Sequence, residues 1–104
     1  MNRKAMALLT IVLLALALPA IADDGGAVFK AKCAMCHGAD GSGNTTMGKN
    51  LKLRPLGSAD VQKQTDAQLT TIVTDGKGKM PSYKGKLTPA EIAAQIAFIR
   101  TLKK

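Results

Sequence analysis

The sequence predicts an all-α domain of three or four short helices, and three observations predict it. Apolar residues recur at helical spacing behind capping signals, and glycine and proline interrupt the chain between those stretches. No run alternates apolar with polar residues as a half-buried strand would. A chain of 104 residues leaves room for one small domain at most.

The N-terminal stretch reads as an export signal. Arg3 and Lys4 precede an apolar run from Ala5 to Leu18, broken only by Thr10, and Pro19 leads into Ala20-Ile21-Ala22. That order predicts a cleavable secretory signal peptide over residues 1–22, cut after Ala22, and an exported, periplasmic domain over residues 23–104. An uncleaved membrane anchor is the alternative, because the apolar run approaches the roughly 18–20 residues that span a bilayer.

The helices follow in order. Asp24 is placed to cap a first helix that carries Val28, Phe29 and Cys33 near one face and stops around Gly38. Residues 39–48 are glycine-rich loop, and 49–57 are basic and irregular, with Pro55 and Gly57 excluding a long helix. Ser58 can cap a short turn from Ala59 to Gln64. Thr65-Asp66-Ala67-Gln68 is a capping box before Leu69, Ile72 and Val73, and Gly76 closes that helix. The strongest helix comes last: Thr88 caps, Pro89 takes the first position, Glu91 completes the box, and Ile92, Ile96 and Ile99 mark the apolar face.

Composition adds two constraints. Beyond residue 22 the aromatic residues are Phe29, Tyr83 and Phe98, with no tryptophan, so the chain is marginal for an unaided core. A large buried cofactor would supply the missing apolar contact. Of 15 basic residues, 13 lie beyond the leader against 7 acidic ones. Export and the lack of aromatic platforms argue against nucleic acid, which leaves an acidic protein surface as the expected partner.

Both cysteines and the single histidine fall within "CAMCHG": Cys33, Cys36 and His37. A redox dithiol at this spacing belongs in a βαβ setting, and no strand is predicted. A closed zinc site needs four ligands, commonly Cys or His, and the chain has three such residues. The remaining chemistry is covalent haem, for which Cys-x-x-Cys-His is the attachment signature. Cysteines three apart on a helical turn point to one side, where each can form a thioether, and His37 then offers an imidazole to the iron.

A sixth ligand has three methionine candidates beyond the leader: Met35, Met47 and Met80. Met35 lies inside the attachment turn. Met80 is preferred, since Pro81 biases it toward an extended conformation that could aim its thioether inward. Met47, or plain core packing by Met80, is the alternative. A His37/Met80 pair leaves no open position for substrate, so the expected chemistry is one-electron transfer and the expected protein is not an enzyme.

"DGGAVFKAKCAMCHGADGSG", "GKGKMPSYKGKLT" and "EIAAQIAFIRTL" together resemble the first helix, distal methionine loop and C-terminal helix of the class I c-type cytochromes, in the short bacterial monohaem form. The resemblance covers residues 24–104. It implies a small cytochrome c fold around one covalently bound haem c. Cys33 and Cys36 would carry the thioethers, His37 and Met80 would ligate iron, and Gly25 with Phe29 would cross the last helix near Phe98. Two positions depart from the family pattern. Gln95 stands where a large apolar residue is common, which predicts a looser crossing or a larger share for Ile92 and Ile96. No proline follows His37 at about ten residues, where the family often takes its carbonyl acceptor for Nδ1–H, so some other acceptor is expected.

The expected core and haem wall comprise Val28, Phe29, Leu51, Leu53, Leu69, Ile72, Val73, Leu87, Ile96 and Ile99. Lys30, Lys32, Lys77, Lys79, Lys84 and Lys86 flank the two motifs and are expected to ring the exposed edge, steering a monomeric carrier to acidic redox proteins. Membrane contact is expected only through partner complexes. Two other functions compete: a tethered cytochrome subunit of a respiratory complex, and a peroxidase or ligand sensor should Met80 not bind iron.

Overall fold

The computed structural model describes residues 25–104, which form six helical segments: α1 (Gly25–Lys32), α2 (Ala34–His37), α3 (Thr46–Asn50), α4 (Ala59–Gln62), α5 (Asp66–Asp75) and α6 (Pro89–Thr101). The signal peptide and the Asp24 cap lie outside the described residues. Among those residues the only extended pairings are isolated bridges, Lys77 with Met80 and Lys84 with Leu87. The fold is all-α, and three of its segments are short turns of four or five residues.

The two longest helices start at capping boxes. Thr65 Oγ1 accepts from Gln68 N at 3.1 Å while Gln68 Oε1 accepts from Thr65 N at 2.9 Å. Thr88 and Glu91 repeat the exchange at 3.1 and 2.8 Å, with Pro89 in the first turn. Each pair satisfies helix-start amides that no helical carbonyl reaches. Gly76 closes α5, donating its N–H to the Ile72 carbonyl at 2.8 Å.

The expected first helix is two segments. It breaks at Cys33, whose carbonyl accepts from both Cys36 N and His37 N at 3.2 and 3.0 Å. Within the stretch expected to be loop, Thr45 caps the one-turn α3 by accepting from Gly48 N.

The core collects Phe29 from α1, Val61 from α4, Leu69 and Val73 from α5, Leu87, and Ile92, Ile96 and Ile99 from α6. Val28, Leu51, Leu53 and Ile72, also expected there, are only half-buried. The crossing of α1 over α6 is tight, not loose. A Cβ on Gly25 would meet the Ala94 carbonyl oxygen at 2.5 Å, so only glycine permits this approach. Gln95 is 1% exposed and donates through Nε2 to the Gly25 carbonyl at 3.1 Å. The amide thus replaces an apolar contact with a hydrogen bond, and Ile92 and Ile96, each 4% exposed, carry the apolar packing beside it. Phe29 and Phe98 stack alongside with ring centroids 4.8 Å apart.

Arg100 ties the α4–α5 corner to α6. Its guanidinium donates to the carbonyls of Gln62 and Gln64 at 2.8 and 2.5 Å and to Asp66 Oδ1 at 3.0 Å. Gln62 returns the tie, donating Nε2 to the carbonyls of Leu56 and Ile99.

Candidate functional site

The break at Cys33 makes the site. One short turn carries Cys36 and His37, and the loop after it is sewn to that turn at two points. Gly43 N donates to the His37 carbonyl at 2.7 Å, Thr45 Oγ1 donates to the Cys36 carbonyl at 2.7 Å, and the same hydroxyl accepts from Gly48 N at 2.8 Å. A Cβ on Gly48 would collide with the Gly43 carbonyl and stand 2.6 Å from the Cys36 carbonyl oxygen. The turn therefore has no room to shift. Phe29 buttresses the imidazole from α1, with ring centroids 6.4 Å apart.

Both cysteines are free thiols, and burial, followed by the neighbouring Cys36, pushes the Cys33 thiol above its ordinary value. A working redox dithiol needs the opposite, a thiolate favoured near neutrality. Burial also lowers the His37 pKa, which keeps the ring neutral, the form in which imidazole ligates a metal. Its Nδ1 is buried with no hydrogen-bond partner in the protein, so no carbonyl takes the place of the missing proline's.

Cys33, Cys36 and His37 open onto a cleft of two adjoining cavities, about 400 and 200 Å³, the larger of which is within the usual range for cofactor sites. Cys33, His37, Leu53, Lys77 and Met80 border both cavities. The larger runs inward between Phe29 of α1, Leu69, Ile72 and Val73 of α5, and Gln95 and Ile99 of α6. Gln95 apart, these belong to the expected wall, whereas Val28, Leu87 and Ile96 border neither cavity. Leu51, Leu53 and Ile72 are half-buried because they face this cleft.

The methionines separate clearly. Met35 is 80% exposed and Met47 44% exposed, and neither borders the cleft. Met80 borders both cavities and packs against the core cluster. It sits in a tight turn, exchanging backbone hydrogen bonds with Lys77 at 2.9 and 3.1 Å. The six lysines named above are exposed, and no ion pair among the described residues uses them. Lys32, Lys77 and Lys79 border the smaller, outer cavity.

The donor set suits covalent haem: two free thiols three positions apart, a neutral imidazole beside them, and a thioether bordering the same apolar cleft. Among the described residues no group of three or more His, Cys, Asp or Glu side chains is placed to hold a metal ion by itself. Two residues escaped the sequence reasoning. Gln95 was placed only as a departure, yet it is a wall residue whose Oε1 is buried without a partner. Tyr83 also borders the outer cavity, and its hydroxyl donates to the Lys32 carbonyl at 2.9 Å. An aromatic hydroxyl three residues beyond Met80 was the available signal. Burial, then the nearby cysteine sulfurs, push the Tyr83 phenol above its ordinary value, so it keeps its proton.

Comparison with known proteins agrees with this geometry. A protein-family model described as "Cytochrome C oxidase, cbb3-type, subunit III" matches residues 20–99. Cytochrome c6 of Leptolyngbya boryana is 39% identical over 75 residues, which is 72% of this chain and 85% of that protein. The cbb3-type oxidase subunit FixP of Azorhizobium caulinodans is 33% identical, but the match takes in 78% of this chain and only 27% of FixP. Among solved structures, the KustC0563 c-type cytochrome superposes with a TM-score of 0.72 at 34% identity, covering 78% of this chain and 99% of that one. Similarity this extensive carries with it a covalently bound haem c and the work of an electron carrier, not an enzyme. The chain belongs to the class I c-type cytochrome family.

Proposed function

We propose that residues 23–104 form a periplasmic one-electron carrier, freed from its signal peptide after Ala22, in which His37 and Met80 ligate the iron of a haem held by Cys33 and Cys36. One observation carries the ligand assignment. Of the three methionines beyond the leader, Met80 alone borders the cleft that Cys33 and His37 also border. The bound haem supplies the one-electron couple. The chain's residues do the rest: the attachment turn holds His37 still, Met80 denies the sixth position to other ligands, and the apolar walls keep water from the inner cavity. A thioether in place of a second nitrogen ligand favours a higher potential.

The lysines at the mouth support docking on acidic redox partners. They are exposed, unpaired and clustered where the cleft opens, so electron transfer should slow as salt screens them. The sequence relation to FixP favours a second reading, a cytochrome subunit kept at a membrane complex. No helix among the described residues is long and apolar enough to cross a membrane. Cell fractionation with N-terminal mass analysis separates the two: retention of Met1 in the membrane fraction would overturn the free carrier.

The ligand assignment is tested by Met80→Ala in the holoprotein. The ferric iron–sulfur charge-transfer band should vanish while covalent haem is retained in a pyridine haemochrome spectrum. Survival of the band overturns Met80 as ligand.

A further inference from the structure

We propose that the Tyr83 hydroxyl is a latch that holds the methionine segment closed against the haem-attachment segment, and so keeps Met80 in place. The inference rests on Met80 being the sixth ligand. Its basis is a carbonyl left over by the helix break. Because Cys36 N turns to the Cys33 carbonyl, the Lys32 carbonyl at the end of α1 is left without its helical donor. Tyr83, 51 positions along the chain, donates its hydroxyl there at 2.9 Å. The bond spans the cleft mouth, since Lys32 and Tyr83 both border the outer cavity with Met80 and Cys33.

The phenol stands on a fixed base. Tyr83 N donates to the Val73 carbonyl at 3.1 Å, and the Tyr83 carbonyl accepts from Lys86 N and Leu87 N at 2.9 and 3.0 Å. The segment from Lys77 to Ser82 is thus anchored at its start by Gly76 on α5 and at its end by Tyr83. Among the described residues the Tyr83 hydroxyl makes the only hydrogen bond from that anchored segment to the opposite bank, beside the apolar packing of Met80 and Tyr83 on the core. Without it, the methionine side depends on α5 and on whatever bond Met80 makes. Tyr83 is therefore a positioning residue, acting on the iron through Met80.

The test compares wild-type and Tyr83→Phe ferric holoprotein, which differ by one oxygen. Imidazole binding requires Met80 to leave, so its rate reads how often the segment opens. The variant should keep the iron–sulfur band and bind imidazole about five-fold faster, the factor expected for losing one ordinary hydrogen bond. Its global stability in guanidinium should fall by no more than the free-energy equivalent of that factor, because the same bond is also lost on complete unfolding. An unchanged imidazole rate overturns the latch, as does a fall in global stability well beyond that equivalent, which would mark a general loss of packing. If wild-type ferric protein lacks the iron–sulfur band, the ligand assignment and the latch fall together. If the band is present and the rates are equal, the latch alone falls.

Discussion

The segment bearing Cys33, Cys36 and His37 and the segment bearing Met80 face one cleft, but their surroundings differ. Around the attachment turn, backbone packs on backbone: Gly48 lies where even a methyl group would strike two carbonyls. Around the methionine turn close backbone packing is confined to one end: a Cβ on Gly76 would stand 2.7 Å from the Met80 carbonyl oxygen, whereas one added at Gly78 or Gly85 would meet nothing within 4 Å. The first segment is held by exclusion of volume. The second is packed at Gly76 and through Met80 and Tyr83 on the core, and beyond those contacts hangs by hydrogen bonds from Ser82 and Tyr83 to the end of α5 and from the Tyr83 hydroxyl to Lys32. Packing cannot be released in part, whereas hydrogen bonds can open one at a time. One side of the cleft is therefore built to stay, and the other can open locally.

The contrast is broken most forcefully at Gly48. Gly48→Ala should cost about 3 kcal/mol in holoprotein unfolding by guanidinium, because the carbonyls it strikes belong to the attachment segment's own backbone. A cost under about 1 kcal/mol would show that this side yields as readily as the other. A smaller loss is expected from Ser82→Ala, which deletes the 2.6 Å hydrogen bond to the Thr74 carbonyl. It should lower stability by about 1 kcal/mol. Faster amide exchange should be confined to residues near Lys84, whose N–H the same hydroxyl accepts at 3.2 Å.

The smallest effect is at Asp40, on the attachment side. Hydrogen bonds from the Ser42 side chain, then from the Ser42 amide, hold its carboxyl below the usual range. A depressed folded-state pKa stabilises above the unfolded value, and that contribution is lost as pH falls through the folded one. The melting temperature of Asp40→Asn should thus sit slightly below wild type at pH 7, with the gap closing toward about pH 3. A gap that persists in acid would mean that charge is not its source.

What the sequence disclosed and what it hid divide along physical lines. The boxes at Thr65–Gln68 and Thr88–Glu91 were legible because both partners lie within four residues. Cys33, Cys36, His37 and Met80 were legible as chemistry, and the structure brings all four to one cleft. The break at Cys33 and the turn α3 were not, since each depends on groups beyond its own helix, such as Thr45 reaching the Cys36 carbonyl. The hydrogen bond of Gln95 was hidden for the same reason, although the larger share of Ile92 and Ile96 was foreseen. A buried amide is credible only with its partner in view, and Gly25 lies 70 positions away.

That separation has a consequence for chain length. The Gln95–Gly25 bond closes a loop of 70 residues that contains all of the cleft lining except Ile99. Closing such a loop costs about 4 kcal/mol of chain entropy, yet doubling its length would add only about 0.6 kcal/mol. The crossing of the two end helices is consequently almost indifferent to how much chain lies between them. Surface segments within the loop can lengthen or shorten at little thermodynamic cost, provided the attachment turn, the methionine turn and the crossing keep their own contacts.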